Sequence, residues 1–249
     1  MPPLILALDT AFSRCTAAVF DAAGAGTLLA AEEPEIGKGH AERLTGVIDD
    51  VLSKAGANYG DLARVVVTTG PGSFTGIRVG VAAARGLALA LDIPAVGVST
   101  LEALARGVLA RSMSAVNEPG ADASPVLAVI DARRGEIYAA LFAATGDTLE
   151  GPAALQPEAL DGFLDQAWSA APGMRLRLAG SGAPIAATAL SGRPCVIAGD
   201  TDRIHPAILA RLGAAAPAGE PPRPLYLRGA DAKPSSAPSL RRKIAESIP

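Results

Sequence analysis

The chain has 249 residues, enough for one large domain or two small ones. Hydrophobic residues make up 49% of it and aromatic residues only 4%, a helix-rich α/β composition that argues against a disordered chain. The formal net charge of −3 gives no global attraction to nucleic acid, and Cys15 and Cys195 are too far apart in sequence to indicate a disulfide framework or a zinc site.

The first half of the chain predicts the element order βββαβαβα. Three strands are expected from LILALDT, CTAAVFD and TLLAAEEP, with a short turn after the first. A helix is predicted over His40–Ala55, where apolar residues share one face and Gly56 follows the end. A strand at 65–69, a helix at 76–91 and a strand at 95–98 come next, and Ser99 with Glu102 forms a capping box for a further helix.

The helix predicted at 76–91 carries an unusual row of small residues. Gly76, Gly80 and Ala84 recur every four residues and form one ridge on the helix. An interior glycine costs about 1 kcal/mol relative to alanine. The ridge therefore indicates a close approach, either by the protein's own sheet or by a partner or ligand.

The second half repeats the first. VLAVIDARRGEIYAALF superimposes on LILALDTAFSRCTAAVF with a constant offset that pairs Asp9 with Asp131 and Ala17 with Ala139. Helices near 156–170 and 206–212, a short helix between them and strands at 175–179 and 195–198 complete a second βββαβαβα unit. Chance similarity between two alanine-rich strands is the alternative.

A duplicated unit of this kind resembles the ribonuclease H-like, actin-like ATPase superfamily, where an Asp at the first hairpin of each half faces a cleft for nucleotide phosphates and Mg²⁺. We therefore predict an α/β fold of two subdomains, residues 1–105 and 106–225, followed by an extended strap and a flexible tail over 226–249. The candidate nucleotide contacts are Asp9, Thr10, Gly72 and Ser73. The turn GPGSFTG is not a Walker A loop, since no Lys-Ser/Thr follows its last glycine, and either Asp could simply end a strand.

Four segments together resemble the TsaB (YeaZ-like) family: GPGSFTGIRVG, PAVGVSTLEAL, VIDARRGEIYAALF and YLRGADAKP. The resemblance runs from Leu4 to about Pro234. It implies a non-catalytic subunit that acts with a TsaD-like catalytic protein and a TsaE-like ATPase in threonylcarbamoylation of tRNA adenosine next to the anticodon, and that meets tRNA only through the complex. The TsaD-like relative binds its metal through a His-x-x-x-His pair. The matching positions here are Thr100 and Leu104, so no metal site is expected.

The resemblance also implies that the first two helices pack against the TsaD-like partner, or against a second copy when the chain is alone. The candidate interface residues are Leu44, Val47, Val51, Gly76, Ile77, Gly80, Val81 and Ala84. No tightly bound cofactor is expected, and weak or partner-dependent adenine nucleotide binding stays open. The alternatives are an active small-molecule kinase or ATPase that uses Asp9, and a glycopeptidase-like hydrolase, which lacks its metal ligands here.

The sequence predicts a cytoplasmic protein with no membrane association. We see no basic region or cleavage site typical of a signal peptide before the first strand. The longest apolar stretch, at 79–98, is interrupted by Arg85, Asp92 and Pro94.

Overall fold

The structure is a computed structural model that describes residues 3–37, 39–114, 124–170, 175–198 and 203–228. The predicted strap is thus described as far as Arg228. The rest of the predicted strap and flexible tail, over 229–249, lies outside the described residues.

The predicted βββαβαβα order is confirmed in both halves. The first half contains β1 (Leu4–Asp9), β2 (Thr16–Asp21), β3 (Thr27–Glu32), α1 (His40–Ala55), β4 (Leu62–Gly70), α2 (Phe74–Leu91), β5 (Ala95–Ser99) and α3 (Thr100–Ser114). The second contains β6 (Val126–Arg133), β7 (Glu136–Phe142), β8 (Thr148–Leu155), α4 (Leu160–Ala170), β9 (Leu176–Ala179), α5 (Ala183–Ala189), β10 (Cys195–Ile197) and α6 (Pro206–Ala215).

Each half forms one mixed five-stranded sheet. The strand order is β3-β2-β1-β4-β5 in the first half and β8-β7-β6-β9-β10 in the second. The three strands joined by hairpins are antiparallel, and the strands reached through helices are parallel. β1 and β6 are therefore the central strands, and both end at the same side of the molecule, where the candidate site lies.

The helices form three layers around the two sheets. α1 and α2 cover the outer face of the first sheet, and α4 and α5 cover the outer face of the second. α3 and α6 lie in a core between the inner faces of both sheets. The predicted boundary at residue 105 therefore needs correction. It falls inside α3, which contacts strands of both sheets.

The constant offset between the two halves is wrong by one residue for the first strand of the repeat. Ala7 pairs with Ala18 in β2, whereas Ala128 pairs with Ala140 in β7, and all four face the shared core. The connection between the paired strands is one residue longer in the second hairpin, so β6 is shifted by one position relative to β1. Asp131 consequently stands at the position of Thr10, not of Asp9.

The glycine ridge of α2 faces the chain's own first sheet. A Cβ atom on Gly76 would lie 2.0 Å from the carbonyl oxygen of Thr10, and one on Gly80 would lie 2.4 Å from Thr10 Oγ1. The Thr10 hydroxyl also donates a hydrogen bond of 2.7 Å to the carbonyl oxygen of Gly76. Of the two interpretations of the ridge, the structure supports close packing within the chain.

The eight residues predicted to contact a partner lie in this same core. None of the six that carry a side chain exposes more than 4% of its surface, and both glycines are buried: Leu44, Val47, Val51, Gly76, Ile77, Gly80, Val81 and Ala84. The apolar periodicity that suggested these residues is the periodicity of the helix face that packs on the sheet. They therefore have no side-chain surface to offer a partner, and any interface on α1 and α2 must use the opposite faces.

Candidate functional site

A cleft of about 1240 Å³ lies between the two halves. Four chain segments supply most of its lining: the turn after β1 (residues 11–13), the glycine-rich loop that leads into α2 (71–74), the end of β6 with the following turn (130–134), and the strap (225–228). Single residues of other elements, among them Arg78 on α2, complete it. The two hairpin turns reach the cleft because the equivalent central strands, β1 and β6, end there.

Asp9, the first predicted nucleotide contact, does not line this cleft. Its residue is only 3% exposed, and its Oδ1 accepts hydrogen bonds from the backbone N–H of Ala11 at 3.0 Å and from Thr68 Oγ1 at 2.7 Å. Burial raises the pKa of the Asp9 carboxyl above its ordinary value, although both hydrogen bonds act to lower it. Asp9 therefore ends its strand by fixing the turn, which was the alternative to nucleotide binding given for this residue in the sequence.

The other three predicted nucleotide contacts divide between core and cleft. Thr10 is fully buried beneath α2, so it is not a cleft residue. Gly72 and Ser73 do line the cleft. Ser73 begins α2, where its Oγ accepts a hydrogen bond of 3.2 Å from the Gly76 backbone N–H, and its own N–H donates to the carbonyl of Ala11. The loop is therefore held against the first hairpin.

The second hairpin presents arginines to the cleft on a strained turn. Asp131 lies at the cleft, with its carboxylate bound by the backbone N–H of Arg133 at 2.8 Å and by Arg133 Nη1 at 3.3 Å. Arg133 and Arg134 have φ values of 63° and 56°, in the left-handed region. Each such residue costs roughly 1 kcal/mol or more, and strain of this kind clusters at functional sites.

The strap crosses the cleft and contacts both halves. The backbone N–H of Leu225 donates to the carbonyl of Thr69 at 2.8 Å, next to the glycine-rich loop. Arg228, three residues later, pairs with Glu136 at the start of β7. Between them, the Tyr226 hydroxyl accepts a hydrogen bond of 2.8 Å from Arg78 Nε on α2.

The positions that the resemblance matched to a metal-binding pair are in the interior. Thr100 is fully buried, and Leu104 is 4% exposed in the core between the sheets, where its side chain lies beside Gly180. Neither threonine nor leucine offers an imidazole nitrogen. Over the described ranges, no group of three or more His, Cys, Asp and Glu side chains has an arrangement that could hold a metal ion.

The chemistry of the lining fits an anion better than a nucleotide carrying Mg²⁺. Mg²⁺ prefers carboxylate oxygens, and the lining carboxylate, Asp131, is already engaged by Arg133. The arginines at the cleft suit phosphate oxygens. Arg228 falls within the strap predicted over 226–249, whereas Arg78, Arg133 and Arg134 were not among the predicted site residues; the signal available was the Arg-Arg-Gly turn in an acidic chain.

Comparison with known proteins supports one family over most of the chain. The model of the family described as "TsaD: tRNA N6-adenosine threonylcarbamoyltransferase" matches residues 33–200. The TsaB protein of Escherichia coli, named for tRNA threonylcarbamoyladenosine biosynthesis, is 38% identical over 134 residues, 54% of this chain and 52% of that protein. The chain thus spans about half the length of this curated relative. An uncharacterized Mycobacterium tuberculosis protein is 35% identical over 233 residues, 92% of this chain and 94% of that protein.

Solved structures agree with the sequence comparison. YeaZ from Pseudomonas aeruginosa matches with a TM-score of 0.64 and 27% identity, covering 85% of this chain and 90% of that one. A second P. aeruginosa structure, of a protein with similarity to peptidase YeaZ, matches with a TM-score of 0.67 and 27% identity, covering 91% and 100%. The duplicated sheets and the cleft between them define an α/β protein of the ribonuclease H-like, actin-like ATPase class. Within that class, the chain belongs to the TsaB/YeaZ family of tRNA threonylcarbamoyladenosine biosynthesis.

Proposed function

We propose that this chain is a non-catalytic subunit that binds and positions a TsaD-like catalytic protein for threonylcarbamoylation of the tRNA adenosine next to the anticodon. The observation that carries the proposal is which residues occupy the metal-binding positions of the catalytic relative. Thr100 and Leu104 stand where the catalytic relative has its histidine pair, and both are packed into the core. Family membership without those ligands favours a scaffold, working in the cytoplasm with a TsaE-like ATPase.

The outward face of α2 supports the binding part of the proposal. Leu89 is 86% exposed, and Ala82 and Gly86 on the same helix are also exposed. By its length and mean hydropathy (1.4) alone, α2 is long and apolar enough to cross a membrane. In the structure, 33% of its residues are buried, and these pack on the chain's own sheet. A helix covering a sheet normally shows a polar outer face. Arg78 and Arg85 are also exposed on α2, and the apolar residues between and beside them fit a TsaD-like partner, or a second copy of the chain when that partner is absent.

Co-purification with a TsaD-like protein tests the proposal. The parent chain, tagged and co-expressed with that protein, should retain it on an affinity column, and Leu89→Glu should not, because a charge would be buried in the interface. Leu149→Glu is the matched control, since Leu149 is 48% exposed on the second sheet, away from α2. A complex that survives Leu89→Glu, or that fails equally with Leu149→Glu, would place the interface elsewhere.

The kinase or ATPase alternative draws on the cleft and its glycine-rich loop. We propose instead that adenine nucleotide binds the isolated chain weakly at most. Asp9 is buried beneath the hairpin and Asp131 is engaged by Arg133, so neither carboxylate is presented to a phosphate-bound Mg²⁺.

A further inference from the structure

The cleft is basic although the chain is acidic. Among the described residues, four arginines lie at it and the carboxylates beside them are Asp131 and Glu136, so positive charges there exceed negative ones by two: Arg78, Arg133, Arg134 and Arg228. The whole chain has a net charge of −3. The positive charge is therefore concentrated in one concave place, where it attracts phosphate more strongly than the same charges spread over a surface.

Two exposed aromatic rings stand beside these arginines. Phe74 is 57% exposed and Tyr226 is 52% exposed, with their ring centroids 5.8 Å apart. The guanidinium of Arg78 lies 3.7 Å from the Phe74 ring centroid and donates to the Tyr226 hydroxyl. Rings supported in this way keep their positions while about half of each residue stays exposed, which suits the stacking of nucleic-acid bases.

The backbone at the second hairpin is strained where it carries its charges. Arg133 and Arg134 adopt left-handed conformations that asparagine or glycine would adopt at lower cost. The presence of arginine at both positions therefore fits a role for the side chains beyond closing the turn.

We propose that this cleft binds a nucleotide unit of single-stranded RNA, with phosphate on Arg133 and Arg134 and a base stacked against Tyr226 and Phe74. The inference rests on the proposed function only in that RNA is the substrate of the assembly, and it adds a direct RNA contact to a subunit proposed as a scaffold. Double-stranded RNA does not fit, because paired bases do not present their faces. A free mononucleotide shares the chemistry and is distinguished by experiment.

The test is a binding titration with a fluorescently labelled ten-residue oligouridylate, followed by anisotropy at about 50 mM salt, where phosphate contacts are strong. The double variant Arg133→Asn, Arg134→Asn keeps residues that tolerate the left-handed backbone and should bind about tenfold more weakly. For this variant, the slope of the logarithm of the binding constant against the logarithm of the salt concentration should be shallower by about 0.7 for each phosphate that is no longer neutralised. Tyr226→Leu should also weaken binding by roughly tenfold, because the base then has no aromatic ring at this position to stack on. Arg175→Asn removes an exposed arginine outside the cleft and should change nothing.

Each other outcome overturns the proposal. No binding by the parent chain, or an equal weakening with Arg175→Asn, would mean that the cleft does not recognise RNA. Unlabelled AMP binding as tightly as the oligonucleotide would assign the site to free nucleotides, and a duplex competitor as effective as the single strand would exclude stacking. Co-purification with the TsaD-like protein is measured on the same variants, so failure of the scaffold role and failure of RNA binding are read separately.

Discussion

Gly80 gives a direct test of why α2 carries a row of small residues. A Cβ atom at this position would lie 2.4 Å from Thr10 Oγ1 and 3.4 Å from Val67 Cγ2, and the Thr10 hydroxyl already donates to the carbonyl of Gly76. Gly80→Ala should therefore overpack the site, at about 1–3 kcal/mol, and weaken a hydrogen bond, at about 1 kcal/mol. The higher helix propensity of alanine offsets about 1 kcal/mol of this loss. We expect a net decrease of roughly 1–3 kcal/mol in the free energy of unfolding.

Gly86 supplies the matched control on the same helix. A Cβ atom there would meet no heavy atom within 4 Å, so Gly86→Ala should raise the free energy of unfolding by up to about 1 kcal/mol. Urea unfolding of the two variants should therefore give shifts of opposite sign for the same chemical substitution. The difference between them isolates packing against β1 from helix propensity.

A double-mutant cycle with Thr10→Ala identifies the contact. Removing the Thr10 hydroxyl vacates the space that the new methyl group needs, so Gly80→Ala should cost less in this background, with a coupling of about 0.5 kcal/mol or more. If Gly80→Ala matches Gly86→Ala in stability, or if the cycle shows no coupling, then α2 does not lie on Thr10 and the packing argument is wrong.

The order of the elements could be predicted because periodicity is a local property of the sequence. The apolar face of α1 and the strand-like run of β1 give helix and strand signals without reference to any other segment. The same locality explains what failed. Helical periodicity in α1 and α2 marks a buried face but cannot distinguish the chain's own sheet from a partner, and the residues assigned to an interface proved to be core.

The candidate site was harder to predict because it depends on register and on contacts between distant segments. One residue of difference between two hairpin turns moved Asp131 into the cleft and left Asp9 beneath its own turn. The contact of Arg78 with Tyr226 joins residues that are 148 positions apart. Gly72 and Ser73 do line the cleft, because the strand, loop and helix that hold them are consecutive in the chain, and their contact with a nucleotide stays a prediction.

Two further predictions concern the chemistry of the interior. The purified chain should contain no stoichiometric zinc or iron and show no steady ATP turnover; one tightly held transition metal ion per chain, or turnover abolished by Asp9→Ala, would contradict the non-catalytic assignment. Asp9 itself should behave as a buried carboxyl whose folded-state pKa lies above the ordinary 3.8. Its protonated form then contributes stability that is present below pH 3.8 and disappears as pH rises through the folded-state pKa. Asp9→Asn keeps the Oδ1 acceptor for Ala11 and Thr68 without this pH dependence, so its stability relative to the parent should increase from pH 3 towards neutrality. Asp9→Leu leaves both donors unpaired and should be about 1–3 kcal/mol less stable than Asp9→Asn throughout this pH range. Urea unfolding across this pH range measures both, and parallel profiles for the parent and Asp9→Asn would show that burial does not shift this carboxyl.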